Sequence, residues 1–212
     1  MDMIGIVDYG AGNLRSVEKA LARLGHACRI TSDPGEIASA SGVILPGVGA
    51  AAGIMDGLRS QRLVQPILET IRRGTPFLGV CMGLQVLFDW SDEGGGEPCL
   101  GVLPGHVRRL PDGMKVPHMG WNSVRQTRPH SLWEGIADNS FFYFVHSYYV
   151  EPAEPTVVIG ETEYGIAFPV AVASGNVMGT QFHPEKSGSV GLKVYDNFAK
   201  LVNYGFSGNT RG

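Results

Sequence analysis

The chain has 212 residues, enough to bury a full core without disulfide staples. Its formal net charge is −3 with no basic block, which removes the electrostatic case for a nucleic-acid or anionic-membrane partner. Three cysteines (Cys28, Cys81 and Cys99) are too few and odd in number for a disulfide framework, and no apolar run approaches the roughly 18–20 residues that span a bilayer. The opening Met1-Asp2-Met3 lacks the basic start and apolar stretch of a signal peptide, so a cytoplasmic protein is expected.

Residues 3–8 read as a buried strand. Leu14, Val17, Leu21 and Leu24 then recur at helical spacing, and Gly25 supplies a stop. Residues 27–31 and 42–45 read as the second and third strands. Leu63, Val64, Ile67, Leu68 and Ile71 mark another helix, ended at Gly74, and residues 76–80 form the strand after it. This alternation predicts an α/β fold with a mostly parallel sheet flanked by helices. Residues 91–98 hold three consecutive glycines and read as a mobile loop. In the second half, 121–124, 141–150, 156–162, 168–173 and 176–182 are strand-like runs split by Gly, Pro and acidic turns. They predict antiparallel strands, added to the sheet edge or forming a small second sheet. Residues 188–204 close the pattern as a helix with Leu192, Tyr195, Phe198, Ala199 and Val202 on one face. With no repeat or linker, 1–205 are expected as a single domain and 206–212 as a frayed tail.

The strongest chemical signal is Gly79-Val80-Cys81-Met82-Gly83, placed between a strand and an apolar helical pattern. This is a G-x-C-x-G nucleophile elbow. Side chains at the flanking glycines would clash, and the turn presents the sulfur at a helix start, where N–H groups and the helix dipole favour a thiolate. A nucleophile needs a base. Among six histidines, His26, His106, His118 and His130 sit in or near turns without further signal, and His146 lies in an aromatic strand as a hydrogen-bonded core or surface residue. His183 follows a strand end and opens His183-Pro184-Glu185, so Glu185 is spaced to orient it; Cys81, His183 and Glu185 are the candidate triad. Leu45-Pro46-Gly47-Val48-Gly49 also follows a strand. Beside a thiolate its backbone suits an oxyanion hole, paired with the N–H of Met82. Gly10-Ala11-Gly12-Asn13-Leu14-Arg15 fails as a dinucleotide fingerprint because Arg15 holds the sixth position. No phosphate loop and no paired metal signature is present, so no cofactor and no metal are expected.

The elbow and the distant His-Pro-Glu resemble those of the class I, or triad, glutamine amidotransferases. Within that superfamily the chain resembles the glutaminase subunits of imidazole glycerol phosphate synthase. That narrower likeness rests on Asp8-Tyr9-Gly10-Ala11-Gly12-Asn13-Leu14-Arg15-Ser16-Val17, Leu45-Pro46-Gly47-Val48-Gly49, Pro117-His118-Met119-Gly120-Trp121-Asn122 and Tyr143-Phe144-Val145-His146-Ser147-Tyr148. Leu84 stands where several sister enzymes carry histidine. The resemblance implies glutamine hydrolysis through a glutamyl thioester, with the backbone N–H groups of Val48 and Met82 holding the oxyanion. It implies glutamine binding by Gly49, Gln85, Glu93, Ser147 and Tyr148, with Glu93 on the α-amino group. It also implies a (β/α)8-barrel cyclase partner in a heterodimer, contacted near Asn13, Trp121, Tyr143 and Lys186, with glutaminase activity weak until that partner binds its own substrate. Trp121 and Tyr143 also read as core aromatics, and Lys186 as a solvated charge. Three other readings are weighed: the glutaminase of another class I amidotransferase, a free-standing cysteine hydrolase of γ-glutamyl compounds, and a catalytically dead interaction module on the same fold, against which the intact Cys81, His183 and Glu185 speak.

Overall fold

The computed structural model describes residues 3–204, so the tail expected to fray at 206–212 lies outside the described residues. The first half runs β1 (Ile4–Val7), α1 (Leu14–Arg23), β2 (Cys28–Thr31), α2 (Pro34–Ser39), β3 (Gly42–Gly47), α3 (Ala51–Ser60), α4 (Val64–Arg72) and β4 (Phe77–Cys81). After β4 come α5 (Met82–Gln85), β5 (Phe88–Ser91), β6 (Glu97–Pro98), β7 (Leu103–Arg109), β8 (His118–Gln126), β9 (Ser140–His146) and β10 (Tyr148–Pro152). The chain closes with β11 (Val158–Tyr164), β12 (Ile166–Ser174), β13 (Val177–Thr180) and α6 (Gly188–Tyr204).

Among the described residues the main sheet has nine strands in the order β2-β1-β3-β4-β13-β12-β11-β8-β9. From β2 to β13 every pairing is parallel, and from β13 to β9 every pairing is antiparallel. The sheet is therefore mixed, with the antiparallel strands added at one edge. A second sheet, ordered β10-β7-β5-β6, packs beside it. Both placements weighed for the C-terminal strands thus occur in one molecule.

The helix stops follow the glycine logic. After α1, the N–H of Gly25 reaches Ala22 O and that of His26 reaches Leu21 O, with Gly25 at φ +83°. Gly74 at φ +84° closes α4 with the same pair of bonds, to Ile71 O and from Thr75 to Thr70 O. Both are Schellman ends, which satisfy the last carbonyls of the helix. The Asp33 carboxylate caps α2 by accepting the Glu36 N–H at 2.8 Å.

Three features differ from the sequence reading. The run 141–150 is two strands, β9 in the main sheet and β10 in the second, divided at Ser147. Residues 91–98 form a built turn rather than an open loop: a 3-10 turn at Glu93–Gly95, then β6 paired to β5 through Ser91↔Glu97 and Trp90↔Pro98. His118 and His106 lie within strands rather than turns.

Candidate active site

Cys81 ends β4 and precedes α5 with φ 56° and ψ −110°. A non-glycine residue in such a conformation costs on the order of 1–3 kcal/mol and persists only when its surroundings enforce it. Here the enforcement is close backbone packing. A Cβ at Gly83 would stand 1.8 Å from Leu45 O, one at Gly79 would stand 2.5 Å from Gly83 O, and one at Gly47 would stand 2.5 Å from Gly83 N. The parallel register sets Gly47 beside Cys81. The two glycines of the elbow are thus required by space, as expected. The helix after it is only four residues long, so the dipole at Cys81 is that of a single turn. The sulfur is buried, 3.9 Å from Val145 O and 3.7 Å from Nε2 of Gln181.

β13 leads to the 3-10 turn Pro184–Lys186, which brings His183 and Glu185 together. Nδ1 of His183 lies 2.9 Å from Oε1 of Glu185, and both side chains are almost fully buried. Since the carboxylate only accepts, Nδ1 carries the proton. The other carboxylate oxygen accepts the Tyr195 hydroxyl at 3.1 Å. Nε2 of His183 is buried and makes no hydrogen bond. Burial lowers the His183 pKa, but interaction with Cys81 and Glu185 outweighs it and raises the group to about 10.

A cavity of about 310 Å³ opens over these groups. Cys81, His183 and the expected residues Val48, Gly49, Met82, Glu93, Ser147 and Tyr148 all line it, and Lys186 stands on its wall. Gln85 does not line it. That side chain is fully buried beneath, its Nε2 donating to Tyr148 O and to Gln181 Oε1, each at 2.9 Å, while its Oε1 has no partner. Glu93 already has a structural partner, since its Oε2 accepts the Ala51 N–H at the start of α3 at 2.8 Å. The Val48 N–H, expected to point at an oxyanion, donates to the Tyr9 hydroxyl at 3.3 Å.

The residues expected at a partner surface fall on separate elements. Trp121 on β8 is 56% exposed and packs edge-on to Tyr143 of β9, whose ring has the Lys186 ammonium 5.8 Å from its centroid. Met119 and Phe141 lie on the same face, 61% and 59% exposed. Neither Trp121 nor Lys186 is a core residue. Asn13 precedes α1, and its Oδ1 accepts the Ser16 hydroxyl at 2.7 Å.

Sequence reasoning missed Tyr9, Tyr195, Gln181 and a buried histidine pair. Nδ1 of His146 donates to Tyr148 O at 2.8 Å, so its Nε2 accepts from Nδ1 of His118 at 2.9 Å. His118 is stacked against Tyr164 and Phe144. Burial lowers its pKa to about 4. For His146, burial first and then the neighbouring histidines prevail over the Tyr148 carbonyl, bringing it to about 3. Among the described residues, no group of three or more His, Cys, Asp or Glu side chains is arranged to hold a metal ion, and no helix is long and apolar enough to cross a membrane.

A cysteine on a strained strand-to-helix turn, facing a cavity shared with a carboxylate-held histidine, defines a thiol acyl-transfer site. Residues 5–201 match the family described as "Glutamine amidotransferase class-I", and the chain belongs to that family. It is 56% identical over 204 residues to "Imidazole glycerol phosphate synthase subunit HisH" of Moorella thermoacetica, covering 96% of this chain and 97% of the relative. The subunit of the same name from Dehalococcoides mccartyi is 54% identical over 200 residues, covering 94% and 98%. A crystal structure described as a glutamine amidotransferase superposes with a TM-score of 0.75 at 22% identity, covering 94% of this chain and 98% of the other, a likeness of fold.

Proposed function

We propose that this chain is the glutaminase subunit of imidazole glycerol phosphate synthase in histidine biosynthesis, hydrolysing L-glutamine to L-glutamate and passing the ammonia to a cyclase subunit. Residues 1–205 act as one glutaminase domain in the cytoplasm. The observation that carries the reading is Cys81, held at positive φ in the same cavity as His183, whose Nδ1 is held by Glu185.

His183 takes the proton of the Cys81 thiol, and the thiolate attacks the side-chain amide carbon of glutamine, forming a C–S bond and placing charge on the amide oxygen. The N–H groups of Val48 and Met82 receive that charge once Val48 is turned to the cavity. His183, basic enough to keep its proton at neutral pH, delivers it to the nitrogen, and the C–N bond breaks to release ammonia. The remaining thioester removes the sulfur's negative charge, one of the causes that raise His183. The imidazole, having given up its proton, then stays neutral and is free to take one from water. Water adds to the thioester carbon, and Cys81 leaves as glutamate forms. Glu185 orients the imidazole throughout. Gly49, Ser147 and Tyr148 hold the substrate, Gln85 supports Tyr148 from beneath by donating to its carbonyl, and Glu93 takes the α-ammonium.

Free ammonia is largely protonated near neutral pH and then cannot act as a nucleophile, which favours direct transfer. The receiving partner is a (β/α)8-barrel cyclase. It uses the ammonia to convert a ribulosyl-linked aminoimidazole carboxamide ribonucleotide into imidazole glycerol phosphate and an aminoimidazole carboxamide ribonucleotide. The partner docks on the face carrying Trp121, Tyr143 and Lys186, with Asn13 at a second contact, to form a heterodimer. Lys186 joins this face to the cavity.

The test is glutamate release by the purified chain, alone and with the barrel cyclase plus its nucleotide substrate, beside Cys81→Ala. Low activity that rises in the mixture and vanishes in the variant supports the reading. Activity that is high alone and indifferent to the cyclase points instead to a free-standing hydrolase or a sister amidotransferase. Cys81→Ala should keep ammonia-dependent cyclisation, and loss of that reaction too would make Cys81 a structural residue.

A further inference from the structure

The connection from β1 to α1 carries two residues that face different neighbours. Tyr9 is only 4% exposed, and its hydroxyl oxygen accepts the Val48 N–H at 3.3 Å. Asn13, four residues on, is half-buried at the start of α1. Between them Gly10 and Gly12 adopt φ +95° and +121°, and Gly10 is tied back through its N–H to Asp8 Oδ1 at 2.9 Å. The backbone at Tyr9 is itself pinned, because α3 approaches so closely that a Cβ at Gly57 would stand 2.4 Å from Tyr9 O. Tyr9 is not part of the cavity wall, whereas Val48 is. The Val48 amide is therefore directed to Tyr9 rather than to the space above Cys81. The peptide unit that carries this N–H begins at Gly47, which lacks a side chain to resist its rotation.

We propose that Tyr9 is a positioning residue: its hydroxyl holds the Val48 amide in an idle orientation, and partner contact at the Asn13 end of the same connection releases it. This rests on the reading of Val48 as an oxyanion donor. The chemistry sets the scale. One oxyanion donor is worth about 10²–10³ in kcat. A neutral hydrogen bond is worth about a factor of 3–10 in a conformational equilibrium. Losing the latch therefore recovers only part of the activation, and docking supplies the rest.

Tyr9→Phe keeps the ring and deletes the latch. In the isolated chain its kcat for glutamine hydrolysis should rise about 3–10-fold with KM nearly unchanged, the scale of one neutral hydrogen bond. In the complex with the cyclase and its nucleotide, kcat should match the unsubstituted complex, so the activation factor shrinks by the same ratio. The amide resonance of Val48 should also shift in the isolated variant. An unchanged or lower kcat in the isolated chain, or an equal fall in both states, overturns the proposal. Cys81→Ala run in parallel separates the two readings. If glutamate release survives that substitution the reading of Cys81 as the nucleophile of this site fails, and if it vanishes while Tyr9→Phe changes nothing, only the latch fails.

Discussion

The Tyr195 hydroxyl donates to Oε2 of Glu185 at 3.1 Å, on the carboxylate whose other oxygen holds His183. Tyr195 is fully buried on α6, and burial first, then the Glu185 charge, raise its pKa well above the usual phenol value. It therefore remains a donor across the working pH range. Tyr195→Phe leaves a buried carboxylate short of one hydrogen bond. The expected cost is about 1–3 kcal/mol of stability. A fall in kcat of roughly tenfold should accompany it as Glu185 loses its fixed position. Urea unfolding and steady-state kinetics read the two effects, and an unchanged kcat would remove Tyr195 from the orientation of His183.

Two glycines separate packing from propensity. Gly83→Ala places a methyl 1.8 Å from the Leu45 carbonyl, a backbone atom that cannot yield without parting β3 from the elbow. A loss above about 4 kcal/mol is expected, enough to abolish soluble expression or lower the melting temperature by more than about 10 °C. Gly53→Ala, on α3 with nothing within 4 Å of the added methyl, should stabilise by about 0.5–1 kcal/mol. Thermal denaturation of both variants is the check; similar melting temperatures would contradict the close approach at the elbow.

The buried histidine pair makes stability depend on acid. The folded pKa values, about 4 for His118 and about 3 for His146, lie below the unfolded value of 6.5. Between these limits the unfolded chain binds more protons than the folded one, so stability is fully present above about pH 6.5 and falls as pH drops towards 4 and then 3. A tenfold difference in proton affinity between the folded and unfolded chain is worth about 1.4 kcal/mol, so the pair contributes a loss of several kcal/mol. His118→Asn with His146→Asn should flatten that slope in urea titrations at pH 7 and pH 5. A slope equal to that of the unsubstituted chain would place the acid sensitivity elsewhere.

What was legible in the sequence is local. The elbow announces itself because Gly79, Cys81 and Gly83 lie within five residues, and the clashes they avoid are between those same residues and the adjacent strand. His183 and Glu185 were legible for the same reason, being two residues apart on one turn. Tyr195 was not. At helical spacing with Leu192 and Phe198 it reads as core, and its hydroxyl's partner is set by how α6 docks against the turn that follows β13. Tyr9 and Val48 are 39 residues apart, so their hydrogen bond exists only through the packing of β1 beside β3. The second sheet was hidden because β5 and β6 hold four and two residues and β9 runs into β10 with no change in composition at Ser147. His118 looked like a turn residue between Pro117 and Gly120, yet its ring is stacked between two aromatics from other strands.

The face of β8 and β9 opposite the core exposes Met119, Trp121 and Phe141 together, with Tyr143 between them. Alternation explains why: the inward residues Val124, Phe142 and Phe144 are buried, so their neighbours must point outward, where polar residues normally serve. Contiguous exposed aromatics mark a surface that is covered in use, and large aromatic anchors dominate the energy of such contacts. Trp121→Ala should raise the Kd for the cyclase about 10–100-fold, the scale of one aromatic hot spot. The isolated chain should keep its basal glutaminase activity and melting temperature, because Trp121 touches neither Cys81 nor the core. Titration calorimetry against the cyclase provides the measurement. If affinity and the coupling of glutamine hydrolysis to cyclisation both stay unchanged, Trp121 lies outside the interface, and the apolar face needs a different occupant.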